Sequence, residues 1–155
     1  MGKKLFVILL IAINSKAYAQ YQGQGRAMHG YEIGSSSGYF GMTFGAEYFP
    51  MHNVSFAPSV TFFIPPSGNA RGFDLNMRYY VTEGSYQLYG LVGYGNYVRA
   101  SESNPPIKTK FNSINLGIGS LIKLRDEIGI NPEIRYQPGD RKEVIFRLGF
   151  VYFIN

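Results

Sequence analysis

The stretch EVIFRLGFVYFIN at residues 143–155 places Val144, Phe146, Leu148, Phe150, Tyr152 and Ile154 at every second position. Such a period sends the apolar residues to one face of a β-strand and the intervening Glu143, Arg147 and Gly149 to the other. The same alternation runs through IGINPEIRYQ (128–137), where Ile128, Ile130, Pro132, Ile134 and Tyr136 oppose Gly129, Asn131, Glu133, Arg135 and Gln137. It recurs in GFDLNMRYYVT (72–82), with Phe73, Leu75, Met77, Tyr79 and Val81 against Asp74, Asn76, Arg78, Tyr80 and Thr82. The pattern predicts strands at about 28–36, 38–49, 54–64, 72–82, 86–99, 111–124, 128–137 and 143–154. No later stretch approaches the roughly 18 apolar residues of a helical membrane span.

The first residues have a different character. Lys3 and Lys4 precede an apolar run from Leu5 to Ile13, and Ala17-Tyr18-Ala19 supplies small residues for cleavage. This is the pattern of an export signal over residues 1–19, leaving one domain at 20–155. Without that segment, 12 basic side chains stand against 10 acidic ones. The net charge of +5 thus falls to +2, too little to argue for nucleic acid. Cysteine is absent, which excludes disulfides, a thiolate metal site and a lipoprotein anchor.

Alternation alone fits a soluble barrel with its apolar face inward or a membrane barrel with that face outward. The polar face decides between them. Charged residues are only 16% of the chain, and that face is rich in glycine, including Gly30, Gly41, Gly93, Gly117, Gly119 and Gly149. Glycine on a solvated face only weakens a strand, whereas in a narrow barrel it makes room for large side chains opposite. The charges there come in both signs, Glu32, Glu47, Asp74 and Glu133 with Arg78, Arg99, Arg135 and Arg147. Buried charges require partners, so these eight are expected to form an ion-pair network in a lumen. The expected fold is an all-β, eight-stranded antiparallel up-and-down transmembrane β-barrel.

The expected connections alternate in length. PMHN, TEGS and RDE are short, whereas PPSGNAR (65–71), ASESNPPIKTK (100–110) and QPGDRK (137–142) are longer. Outer-membrane barrels have short periplasmic turns and longer external loops. Arg71, Lys108, Lys110, Arg141 and Lys142 then fall in external loops as a cationic rim suited to lipopolysaccharide phosphates.

The signal, the eight alternating segments and the terminal RLGFVYFI resemble the small bacterial outer-membrane barrels of the OmpX and OmpA-domain type. In that resemblance Arg147, Gly149, Tyr152 and Ile154 correspond to the terminal signal read by the barrel-assembly machinery. The commonest form ends on Phe, whereas here Ile154 takes that place and Asn155 follows. The resemblance implies a monomer in the bacterial outer membrane, in contact with lipid and lipopolysaccharide.

Signs of chemistry are sparse. Some barrels of this size modify lipid A with His, Ser and a carboxylate near the outer leaflet. Here His29 is expected to open the first strand and His52 to sit in a periplasmic turn, near Ser55 but at the other end. Neither histidine has metal-ligand spacing, and GLVGYGNY (90–97) lacks the lysine and following helix of a phosphate loop. No cofactor is expected. The leading expectation is a non-catalytic surface barrel. An adhesion or envelope-assembly component, a lipid A-modifying enzyme and a soluble periplasmic ligand-binding barrel are the alternatives.

Overall fold

The computed structural model describes residues 22–105 and 107–154. The expected export signal and Asn155 lie outside the described residues. Eight strands follow one another: β1 (Gly25–Gly34), β2 (Phe40–Met51), β3 (Val54–Ile64), β4 (Asn69–Tyr80), β5 (Tyr86–Ala100), β6 (Lys108–Lys123), β7 (Ile128–Gln137) and β8 (Glu143–Ile154). Each pairs antiparallel with its neighbours in sequence, and β8 pairs with β1 to close the barrel. The closing register runs from Gly25 opposite Ile154 to Gly34 opposite Ile145.

The period-two pattern explains the layering. Phe44, Phe56, Leu75, Val92, Ile118 and Leu148 are exposed on the outer wall, whereas Glu32, Glu47, Asp74, Arg78, Glu133 and Arg135 are almost completely buried inside. A water-soluble barrel has the opposite arrangement. An apolar band round the whole circumference enclosing a charged interior is the layout of a barrel whose solvent is lipid. The interior is not wholly polar. Phe49, Ala57, Leu91, Leu121, Ile145 and Val151 also point inward and are buried.

Both described ends of the chain lie at one end of the barrel, with the turns at 52–53, 81–85 and 124–127. In outer-membrane barrels with an even number of strands the end with the termini faces the periplasm. The connections at 35–39, 65–68, 101–107 and 138–142 lie at the other. The turn at 52–53 is tight, with Asn53 at φ 58°, a left-handed conformation that Asn tolerates better than most residues. The expected contrast in loop length is mostly lost. β4 begins at Asn69 and β6 at Lys108, so strand pairing absorbs residues expected in loops. β1 likewise starts at Gly25 rather than 28, because Arg26 and its neighbours continue the alternation despite their small or polar character.

At the β1–β8 seam Gly30 faces Gly149. A Cβ added at Gly30 would stand 2.8 Å from both the Gly149 Cα and the Leu148 carbonyl oxygen, and backbone at that distance cannot yield cheaply. A Cβ at Gly90, on the outer wall, would meet nothing within 4 Å. Gly30→Val should therefore lower the yield of folded barrel in lipid vesicles severalfold, while Gly90→Val leaves it unchanged. Protease protection of the inserted protein measures both, and equal yields would refute this role for the seam glycines.

Candidate functional site

The lumen is crossed by a continuous chain of ion pairs. Register creates its first links, since Arg26 lies directly opposite Glu47 on β2, and Arg147 lies opposite Glu32 on β1 and Glu133 on β7. Arg26 Nη1 is 3.4 Å from Glu47 Oε2, and its guanidinium stacks over Phe49 at 4.4 Å. Glu47 Oε1 accepts hydrogen bonds from the Tyr80 hydroxyl (2.7 Å) and Ser55 (2.5 Å). Arg78 reaches Glu47 at 3.4 Å and donates to Glu133 Oε2 at 2.7 Å. The Tyr89 hydroxyl donates to the same Glu133 oxygen at 2.8 Å.

Further along the axis, Glu32 Oε2 accepts from Arg147 Nη2 at 2.7 Å and from Arg135 Nη2 at 2.8 Å. Arg135 also lies 3.2 Å from Asp74 Oδ2. Asp74 Oδ1 accepts from Tyr97 (2.5 Å) and Asn115 (2.8 Å), and Gln137 donates to both Tyr97 and Asn115. Glycines admit the large side chains. A Cβ at Gly72 would stand 2.5 Å from the Tyr97 ring, and one at Gly95 would stand 2.6 Å from Asp74 Oδ1.

Seven of the eight residues expected in the lumen are brought together there, and one is not. Arg99 shares the inward face with Tyr97 but lies beyond the network, exposed, with its guanidinium 5.4 Å from the Tyr39 ring. The reason is position: Arg99 is opposite Ala70 and Thr109, one pleat from the end of β5, where water replaces a counter-charge. Arg26 and Glu143 are the buried charges that sequence reasoning left out. Glu143 accepts hydrogen bonds from the Ser37 amide (2.8 Å) and hydroxyl (2.6 Å) and pairs with Arg141.

The expected loop cations divide into two groups. Arg71, Lys108 and Lys110 are on strands, not in loops, and are exposed on the outer wall. Arg71 is opposite Val98, and Val98 is opposite Lys110, so the two cations flank one valine in a single row. Lys108 is one pleat further out, and none of the three forms an ion pair with a described residue. Lys142 is exposed in its turn, whereas Arg141 is withdrawn, stacked over Tyr97 at 4.1 Å and Phe63 at 5.4 Å.

On β8, Arg147 and Gly149 point inward and Tyr152 and Ile154 outward. His29 does not open a strand. It lies mid-way along β1 on the outer face, against Tyr31 and Phe44 at ring separations of 5.1 and 4.8 Å. His52 is exposed in its turn, while Ser55 points into the lumen toward Glu47. Residues 90–97 lie within β5. Among the described residues no cluster of metal-ligating side chains occurs.

No protein-family model matches the chain, and no curated protein matches it in sequence. Solved structures do. The N-terminal β-barrel domain of Pseudomonas aeruginosa OprF superposes with a TM-score of 0.75 at 15% identity, covering 87% of this chain and all of that domain. This is the fold of the small outer-membrane β-barrels. The attachment invasion locus protein Ail of Yersinia pestis gives a TM-score of 0.62 at 17% identity over 86% of this chain and 99% of its own. Neisserial surface protein A gives 0.62 at 12% identity over 83% and 94%. An outer-membrane barrel of this size has an interior that side chains can fill, as they do here.

Breaking one partner out of such a network leaves a buried charge uncompensated, at a cost of about 3–5 kcal/mol. Glu133→Leu should destabilise the barrel by about that amount in urea unfolding from lipid vesicles, and Arg78→Met in the same chain should restore part of the loss. Asp126→Asn, which removes the exposed partner of Lys123, should leave the midpoint in place. A Glu133→Leu barrel as stable as the parent would contradict the network's role.

Proposed function

We propose that the protein is a non-catalytic outer-membrane barrel that holds its position in the envelope through a cationic outer rim engaging lipopolysaccharide phosphates. The observation that carries this reading is the placement of Arg71, Lys108 and Lys110. All three are exposed on the lipid-facing wall at the end remote from the described termini, without acidic partners among the described residues. Guanidinium and ammonium groups at that level can pair with phosphate while their stems lie along apolar wall such as Phe62, opposite Arg71. Lys142 extends the same rim; Arg141 does not.

The terminal Arg147, Gly149, Tyr152 and Ile154 serve in this reading as the element that the barrel-assembly machinery engages during insertion. The mature barrel acts as a monomer, with no nucleic acid and no cofactor. A second reading, adhesion by the surface loops, is supported by the likeness to Ail, whose name is attachment invasion locus protein. The short connections at 35–39, 65–68, 101–107 and 138–142 give that reading little surface. A lipid A-modifying role has less support, because His29 stands among aromatic rings and His52 lies in the turn at the opposite end.

The combined variant Arg71→Ala, Lys108→Ala, Lys110→Ala tests the rim. Its association with vesicles containing lipopolysaccharide should fall about tenfold or more relative to phosphatidylcholine vesicles, with salt abolishing the difference. The mobility shift on boiling in detergent should be unchanged, showing an intact barrel. Lipid A from cells with and without the protein should have the same mass spectrum. Unaltered lipopolysaccharide association in the variant, or a protein-dependent change in lipid A mass, would overturn the proposal.

A further inference from the structure

At the end of the barrel away from the termini, the lumen opens into a cavity of about 300 Å³ lined by Tyr39, Phe63, Tyr97, Phe111, Arg99 and Arg141. This is the mouth of the barrel; Arg71 of the outer-wall rim borders it, whereas Lys108 and Lys110 do not. Its floor is fixed, because Tyr97 is held by Asp74 and Gln137 of the lumen network. The Arg141 side chain is nine-tenths buried and stacked on Tyr97, yet its Nη1 has no hydrogen-bond partner. Arg99, over the Tyr39 ring, forms no ion pair with a described residue. Two guanidinium groups with donors to spare thus face a cup of aromatic rings.

We infer that this mouth is a binding site for a single sugar ring bearing a phosphate or carboxylate. The anion answers the spare donors of Arg99 and Arg141. The aromatic rings offer flat apolar surface to the C–H face of a sugar. Asp140, Glu143, Ser36 and Ser37 also line the cavity, and their oxygens suit hydroxyl groups. The two carboxylates disfavour a bare anion, so recognition requires the ring and its hydroxyls as well as the charge. The volume is at the lower end of small-molecule pockets, which begin at roughly 300 Å³. Such a sugar reaches the mouth either free in solution or as part of a neighbouring lipopolysaccharide headgroup.

Calorimetric titration of the detergent-solubilised barrel with glucose 6-phosphate, glucose and inorganic phosphate tests the site. Glucose 6-phosphate should bind about tenfold or more tightly than either fragment. Arg99→Gln and Tyr39→Ala should each weaken it roughly fivefold, with Lys142→Gln as the unaffected control and the boiling-dependent mobility shift retained throughout. Absence of saturable glucose 6-phosphate binding overturns the inference, as does phosphate binding equally well. So does parental affinity in both Arg99→Gln and Tyr39→Ala. Where glucose 6-phosphate binds, competition by purified lipopolysaccharide assigns the sugar to the envelope, and its absence assigns a free sugar. A Lys108→Ala, Lys110→Ala variant, which leaves every residue lining the cavity in place, keeps this binding and separates the two sites.

Discussion

A strand in lipid has no water to satisfy its amides or its charges, so both must be met from within the protein. Closure of β8 on β1 satisfies the amides, since every strand then has two neighbours. The charges are satisfied by the same seam. Arg147 on β8 faces Glu32 across one ladder and Glu133 across the other, so forming the last strand pairs also completes the ion pairs. A one-residue slip at that seam would send Arg147 toward lipid and Leu148 inward. Backbone register and lumen electrostatics therefore specify the same closed state.

The packed interior has a consequence for where function can lie. Arginines stack on Phe49, Tyr89 and Tyr97, and the hydroxyls of Tyr80, Tyr89 and Tyr97 donate to Glu47, Glu133 and Asp74. Such packing leaves the proposed interactions to the surfaces, the outer rim around Arg71 and Lys110 and the mouth around Arg99 and Arg141. The fold is a rigid support, and its strand ends determine which cations meet lipid and which meet the mouth.

Much of this was legible in the period-two pattern, because side chains on a pleated strand have only two faces and an amphipathic strand labels both. Strands β3, β7 and β8 have the expected limits for that reason. Strand ends were less legible. Arg26 is flanked by Gly25 and Ala27, which carry almost no apolar signal, so a paired lumen arginine fell outside the first expected strand at about 28–36. Arg71, Lys108 and Lys110 read as loop residues because charge normally marks loops, whereas here strand pairing continues through them to the outer ends of β4 and β6. Arg99 has the right parity for the lumen but the wrong depth, and parity carries no information about depth. Arg141 lies in its expected connection, but its withdrawal was not legible, because Tyr97 and Phe63, on which it stacks, meet it only when the barrel closes.

The account's central claim is that the apolar face of each strand meets lipid and the charged face meets itself. The chain has no cysteine, so single cysteines can be introduced cleanly at Phe146, Leu148 and Phe150 and spin-labelled in bilayers. The prediction is high accessibility to dissolved oxygen and low accessibility to a water-soluble nickel chelate at all three, with Gly149→Cys between them poorly accessible to both. Labels at Phe146, Leu148 and Phe150 that respond to the nickel chelate, or that are shielded from both agents, would place water or protein core on the outer wall and contradict the account.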